Sequence, residues 1–212
     1  MKNIKTEELI KRILVCILGN VLLGVSVAIT KQAAFGNDPF NGMNLAVSAV
    51  IGIPYVYYTW IFNLAMFALE FIFGRKYIFI GTFLNWFMVS GVASLVMSPV
   101  EALSAGLAAS LPGRFVLLAV GLMVSALGLA IYQRADLGIS PFDVVPFMIC
   151  DRFPKLKFMW PRLALDGSAV LLIILCGGVV GIGTAACAFL TGPLVQLYYA
   201  IWDRCFPPKE PA

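Results

Sequence analysis

The chain has 212 residues, of which 61% are hydrophobic and 12% are charged, and its formal net charge is +4. A soluble domain carries about 25% charged residues, so this composition excludes an ordinary soluble protein and indicates an integral membrane protein. The basic residues are scattered between apolar runs, so the positive charge does not predict binding to nucleic acid.

The sequence contains no His, and its five Cys show no C-x-x-C spacing. His is the commonest metal ligand and the commonest proton shuttle near neutral pH, so we predict no metal site and no cofactor. The cysteine spacings do not indicate a disulfide framework. No nucleophile–base spacing is visible, and we do not expect an enzyme.

In chain order the sequence divides into an N-terminal basic flank (1–12), a first half (13–98), a linker (99–113), a second half (114–203) and a tail (204–212). Each half holds three apolar runs of about 18 to 22 residues, long enough to cross a hydrocarbon core of about 30 Å. The runs cover 13–30, 55–73 and 78–97 in the first half, and 114–133, 158–176 and 184–202 in the second. We therefore predict six membrane spans, with the flank and the tail in the cytoplasm.

One motif occurs twice, as AITKQAAFGNDPF at 28–40 and as AIYQRADLGISPF at 130–142, a separation of 102 positions. Each copy ends an apolar run, turns at a Gly, and continues with Asp38 or Ser140 followed by Pro and Phe. Asp and Ser are good helix N-caps, and Pro suits the first helical position. The motif therefore predicts a turn and a new helix in each half.

These new helices, over 38–51 and 140–150, are too short to cross a membrane easily, which favours re-entrant helices. With the N-terminus inside, that arrangement places thirteen of the fifteen Lys and Arg in the cytoplasm, Arg162 among them, whereas eleven lie there if the short segments span. We therefore expect an all-α polytopic membrane protein of six transmembrane helices plus two short re-entrant helices, in two inverted three-span repeats.

Polar side chains inside apolar runs are costly, and they are therefore candidates for function. Asp166 lies near the centre of the fifth span and aligns with Asn63 of the second span. The predicted substrate-binding residues are Asp38, Asn41, Asn63, Ser140, Asp143 and Asp166. Coupling or gating is assigned to the residues that close the preceding helices, Gln32, Arg134 and Asp136. The structural alternatives are N-capping by Asp38 and Ser140, a helix-bridging role for Asp166, and interfacial charge.

Inverted repeats with interrupted helices at the midplane are a recurring design of secondary transporters. The leading hypothesis is a secondary transporter or facilitator of a small polar or zwitterionic solute, with Asp166 or Asp143 as the option for proton coupling. The alternatives are a substrate-binding subunit of an ATP-driven importer and a non-transporting accessory or sensor protein. The expected partners are the lipid bilayer and a small-molecule solute, and a homo-oligomer is left open.

ADLGISPFD at 135–143, and GIGT at 181–184 followed by TGPL at 191–194, resemble the YczE/YyaS/YitT-type bacterial membrane proteins. The resemblance covers roughly 13–203, and the second half fits better than the first. It implies a small multi-pass protein of the bacterial cytoplasmic (inner) membrane. The family supplies no substrate, so the predicted function depends on the site.

Overall fold

The computed structural model describes residues 6–205, which form eight α-helices and one short 3-10 turn at Arg75–Tyr77. The helices are α1 (Thr6–Ala33), α2 (Pro39–Ile51), α3 (Tyr55–Phe73), α4 (Ile80–Ala108), α5 (Leu111–Arg134), α6 (Val145–Arg152), α7 (Met159–Leu175) and α8 (Ile182–Cys205). Five of them, α1, α3, α4, α5 and α8, are long and apolar enough to cross a membrane. Helix α7, the predicted fifth span, has 17 residues.

Two of the helices extend well beyond their predicted bounds. Helix α1 begins at Thr6, so the described part of the N-terminal flank continues the first span. Helix α4 continues through Pro99 to Ala108, so most of the predicted linker is helical. Proline is tolerated inside membrane helices because neighbouring groups satisfy the freed backbone. Residues 1–5 of the flank and 206–212 of the tail lie outside the described residues.

The centre of the molecule is a close antiparallel crossing of α1 and α5, which depends on glycine. A Cβ atom at Gly19 of α1 would lie 2.6 Å from the backbone nitrogen of Tyr132 in α5. Further along, a Cβ atom at Gly121 of α5 would lie 2.5 Å from the Cγ2 atom of Thr30 in α1. Small residues let membrane helices approach this closely. The sequence therefore brings the first helices of the two halves into direct backbone contact.

Helix α4 runs parallel to α1. Asn85 of α4 donates a hydrogen bond to Asn20 of α1 over 2.8 Å, and further along both helices Val89 and Ala93 pack on Val27. Both asparagines are thereby paired inside an apolar environment, where an unpaired amide is costly.

In the second half, α8 runs parallel to α5. Val195 packs on Ala126 and Ala130, and Tyr199 donates to Gln133 over 2.8 Å nearer the ends of both helices. The last helix of each half therefore lies along the first helix of the same half.

Helix α3 runs antiparallel to α4. The Trp86 indole of α4 donates to the Trp60 carbonyl of α3 over 3.0 Å, and the rings of Phe67 and Phe83 pack with centroids 5.2 Å apart. The contact of the later residue in α3, Phe67, is with the earlier residue in α4, Phe83. The chain therefore reverses direction between α3 and α4.

Large apolar side chains cover much of the outer surface. Leu103 is 87% exposed, Leu95 79%, Phe189 73% and Phe73 71%. Soluble proteins rarely expose contiguous apolar surface on this scale, whereas lipid-facing helices do. Together with the five long apolar helices, this surface is that of a multi-pass membrane protein.

Candidate functional site

Both copies of the repeated motif form a turn with left-handed backbone. Gly36 has φ +94° and Gly138 has φ +106°, conformations that favour glycine. The residues two positions earlier, Ala34 and Asp136, also have positive φ, at 55° and 50°. The turns predicted at Gly36 and Gly138 are confirmed, and the two backbones follow similar paths.

Each turn is anchored to the last helix of the opposite half. The backbone N–H of Gly183, at the start of α8, donates to the Phe35 carbonyl over 2.8 Å. The backbone N–H of Gly81, at the start of α4, donates to the Leu137 carbonyl over 2.6 Å. Both donors and both acceptors are 102 positions apart. The two halves therefore hold each other's motif through reciprocal hydrogen bonds.

Asp38 begins α2 as predicted. Its carboxylate accepts from the backbone N–H of Asn41 over 3.0 Å and from the Asn41 side-chain amide over 2.9 Å, which satisfies free donors of the first helical turn. Tyr55, the first residue of α3, donates its hydroxyl to the Asn41 Oδ1 atom over 2.7 Å. The start of α2 is thus a hydrogen-bonded group of three polar side chains.

The predicted helix start at Ser140 is wrong. Residues 141–144 form turns, and α6 begins at Val145 and covers only 8 residues. The Ser140 hydroxyl accepts from the backbone N–H of Asp143 over 3.2 Å and donates to the Asp143 carboxylate over 2.7 Å. Ser140 therefore closes a turn around Asp143 instead of capping a helix.

Asp143 and Asp166 share one guanidinium group, that of Arg162 in the first turn of α7. The Arg162 Nη1 atom lies 2.6 Å from the Asp143 Oδ1 atom, and Nε lies 2.9 Å from the Asp166 Oδ2 atom. The second carboxylate oxygen of Asp166 is buried without a hydrogen-bond partner within the described chain. The positive-inside count assigned Arg162 to the cytoplasmic side, whereas the structure pairs it with both predicted site carboxylates.

The two motif segments meet at their phenylalanines. The rings of Phe40 and Phe142, 102 positions apart in sequence, have centroids 4.6 Å apart. Phe62 of α3 packs against both rings, at 6.1 and 6.4 Å. Across this contact, Asp38 interacts electrostatically with Asp143 and with Arg162. The two motif segments therefore contact each other through these aromatic rings.

We call Asp38, Asn41, Tyr55, Ser140, Asp143, Arg162 and Asp166 the junction site. The site combines three carboxyl groups, one guanidinium group and neutral donors and acceptors. No group of three or more His, Cys, Asp or Glu within residues 6–205 is placed to hold a metal ion. The side chains of the site can form ion pairs and hydrogen bonds.

Asn63 is buried in α3 with its Oδ1 atom unpartnered, and no hydrogen bond in the described chain joins it to Asp166. Among the residues assigned to coupling, Arg134 pairs with Asp203 of α8 and lies over the Tyr199 ring.

Asp136 lies 3.7 Å from Arg12 of α1, measured between charged atoms, and Gln32 is half-buried near the end of α1. The junction site thus includes five of the six predicted binding residues: Asp38 is bonded to Asn41, and Ser140 and Asp143 are connected to Asp166 through Arg162. Asn63 lies outside this group, whereas Arg134 pairs with Asp203 and Asp136 lies near Arg12.

Two members of the junction site were missed from the sequence. The predicted topology places Arg162 among the cytoplasmic charges, although its spacing of four residues from Asp166 is the spacing of a helical ion pair. Tyr55 is the first residue of the predicted second span, and its bond to Asn41 spans 14 positions. Such a contact is decided by tertiary packing, and local sequence carries no signal for it.

A cleft of about 310 Å³ opens beside the first motif turn. It lies between the end of α1, one face of α2 and the turn after α7, and its lining includes Thr30, Lys31, Asn37, Leu45 and Val179. Asn37 directly precedes Asp38, and its amide donates to the Val27 carbonyl over 3.2 Å. The cleft therefore reaches the backbone next to the junction site.

The comparisons with known proteins agree on a family without an assigned activity. Residues 10–200 match the profile described as "Family of unknown function (DUF6198)". The chain is 23% identical over 194 residues to "Uncharacterized protein YyaS" of Bacillus subtilis, covering 91% of this chain and 94% of that protein. It is 22% identical over 191 residues to "Uncharacterized membrane protein YczE" of the same organism, covering 90% and 86%.

An uncharacterized protein of Haemophilus influenzae is 32% identical over 128 residues, which cover 59% of this chain and 55% of that relative, so the similarity spans about half of its length. No solved structure matches the chain significantly. The profile match covers most of the sequence, and the resemblance to YczE and YyaS extends over nine-tenths of it. The chain therefore belongs to the DUF6198 family of YczE- and YyaS-like membrane proteins.

Proposed function

We propose that this protein is a secondary transporter or facilitator of a small polar or zwitterionic solute, and that the junction site binds the solute. The observation that carries the proposal is the Arg162 group shared by Asp143 and Asp166 at the place where the two motif segments meet. Ionisable groups inside a membrane protein are costly and are retained mainly for binding or transport.

The directions of the helices support re-entrant segments. Helix α4 runs parallel to α1 and antiparallel to α3. In this proposal the chain therefore returns across the membrane once between α1 and α4, and α3 is the helix that returns. Both ends of α2 then lie on the side of the membrane where α1 ends. The Phe40 ring, at the start of α2, packs on Phe62 in the middle of α3, which supports a start of α2 within the membrane.

The second half supports the same plan in the opposite orientation. Helix α8 runs parallel to α5, and α5 runs antiparallel to α1. In this proposal α7 also spans the membrane, as the fifth of six spans in chain order, since 17 residues reach about 25 Å. The reciprocal bonds of Gly81 and Gly183 are those expected of two inverted three-span repeats. We place the protein in the bacterial cytoplasmic membrane with both termini inside.

The balance of charges favours a solute with both an acidic and a basic group. Arg162 offers a planar donor for a carboxylate, and Asp38, Asp143 and Asp166 offer acceptors for an amine. A solute carboxylate that takes Arg162 releases Asp143 or Asp166 for the solute amine. The ion pairs of the solute-free site are then exchanged for ion pairs with the solute.

The test is uptake by the purified protein in liposomes, screened with amino acids, amino-acid-like zwitterions and neutral polyols. We expect at least one of these solutes to enter, and we expect Asp143→Asn and Asp166→Asn to abolish its uptake. Asp151→Asn is the matched control, because Asp151 is a surface carboxylate paired with Lys76. Parental uptake by both site variants for every transported solute would contradict the proposal. Uptake that requires an added ATPase partner would favour an importer subunit instead.

A further inference from the structure

Glu70, in the last turns of α3, is a buried acid outside the junction site. Its side chain has no exposed surface, and neither carboxylate oxygen has a hydrogen-bond partner within residues 6–205. Helix α3 is one of the five apolar helices long enough to span a membrane. Burying an ionised carboxylate without hydrogen-bond donors is unfavourable, and a neutral acid largely avoids this cost. The position therefore suits a carboxyl group that carries a proton.

Both Glu70 and the junction-site residue Asp143 act electrostatically on Tyr132 of α5. Tyr132 is 4% exposed, and its hydroxyl donates to the Gly138 carbonyl over 3.2 Å. Tyr132 therefore binds the second motif turn.

The other elements around Glu70 supply no counter-charge in the described chain. Met148 of α6 lies against the Gly74 backbone, one turn after Glu70. Beyond that turn, Lys76 and Asp151 pair with each other over 2.7 Å. The Glu70 carboxyl is thus enclosed by groups that neither neutralise nor solvate a negative charge.

Packing alone does not explain an acid at this position. When α3 and α7 are aligned through Asn63 and Asp166, Glu70 corresponds to Ile173. Ile173 is 1% exposed and packs closely against Gly42 and Gly178. An apolar side chain therefore fills the corresponding place in the second half.

We infer that Glu70 is a proton-binding site whose proton is coupled to solute transport, an inference that rests on the proposed transport function. The protonated acid is compatible with the packed state of α3 against α6. Release of the proton to water leaves a charge that favours a state in which Glu70 is hydrated.

The first test does not require a known solute. A hydrophobic carbodiimide, which reacts with protonated carboxyl groups in apolar surroundings, is added to the reconstituted parent protein, and the modified peptides are identified by mass spectrometry. We expect modification at Glu70 that declines as the pH rises, and none at Glu101, which is an exposed carboxylate. No modification of Glu70, or modification that does not change with pH, would overturn the inference even if transport is found.

The second test uses a solute from the uptake screen. Glu70→Gln should lose accumulation driven by an imposed proton gradient while it keeps solute exchange without a gradient, and Glu101→Gln should keep both. Accumulation by Glu70→Gln at the parental level would overturn the inference and leave the proposed function standing. If Glu70→Gln does not fold, Glu70→Asp replaces it, with an expected shift in the pH dependence of accumulation. Failure of all uptake would contradict the proposed function, whereas the carbodiimide result would still decide proton binding at Glu70.

Discussion

Gly81 and Gly183 each donate a backbone hydrogen bond to the motif turn of the opposite half. Replacing each of them with Ala tests how much these contacts stabilise the protein. A Cβ atom at Gly81 would lie 2.5 Å from the Leu137 carbonyl oxygen, and one at Gly183 would lie 2.6 Å from the Gly36 carbonyl oxygen. Real Cβ atoms essentially never come within 3.0 Å of such atoms. Since the obstacles are backbone atoms, the motif turn itself must move.

The size of the effect follows from two contributions. Overpacking a well-packed contact costs about 1–3 kcal/mol. The displaced turn also weakens the backbone hydrogen bond from the same glycine, which is worth about 1 kcal/mol. We therefore expect Gly81→Ala and Gly183→Ala each to lower the free energy of unfolding by about 2–4 kcal/mol, and to reduce uptake because the junction site is displaced.

Matched controls exist in the same two helices. Gly91 of α4 and Gly192 of α8 have no atom within 4 Å of an added Cβ. Ala at an open helical site is favoured over Gly by up to about 1 kcal/mol, so Gly91→Ala and Gly192→Ala should be neutral or stabilising. Unfolding of the detergent-solubilised protein by SDS, followed by circular dichroism, measures all four variants. Equal unfolding midpoints for Gly81→Ala, Gly183→Ala and their controls would refute the reasoning.

Three further predictions concern the motif turn, the shared guanidinium and a surface pair. Gly138→Ala should lower the SDS midpoint, because Ala at φ +106° is strained by about 1 kcal/mol or more. Arg162→Lys should abolish solute uptake, because an ammonium cannot hold two carboxylates in a planar fork, whereas Arg152→Lys in the exposed end of α6 should keep it. The hydrogen bond from Lys76 holds the pKa of the Asp151 carboxyl below its usual range. The pair should therefore contribute to stability above the ordinary Asp pKa and lose that contribution as the pH falls through the lowered pKa, and Asp151→Asn should flatten this part of the midpoint–pH curve.

Composition and periodicity were enough for the membrane class and for most of the long helices, because a hydrocarbon core imposes length and apolarity directly on the sequence. The turns at Gly36 and Gly138 were also predictable, since positive φ selects glycine. The cap at Asp38 followed from local hydrogen bonding, which depends on residues three positions apart. In each of these cases the cause lies within a short segment.

Tertiary structure decided the features that depend on contacts between residues distant in sequence. Ser140 has the chemistry of a cap, but Asp143 engages its hydroxyl, and Asp143 is in turn held by Arg162 from α7. The prediction counted Arg162 with the cytoplasmic charges, because the sequence alone does not show that its guanidinium group lies between two carboxylates. The sequence likewise does not show that Glu70 is fully buried, because its burial depends on how α3 packs. The sequence determines where the charged residues are along the chain. Whether a charged side chain has a partner of opposite charge is determined only by how the helices pack together.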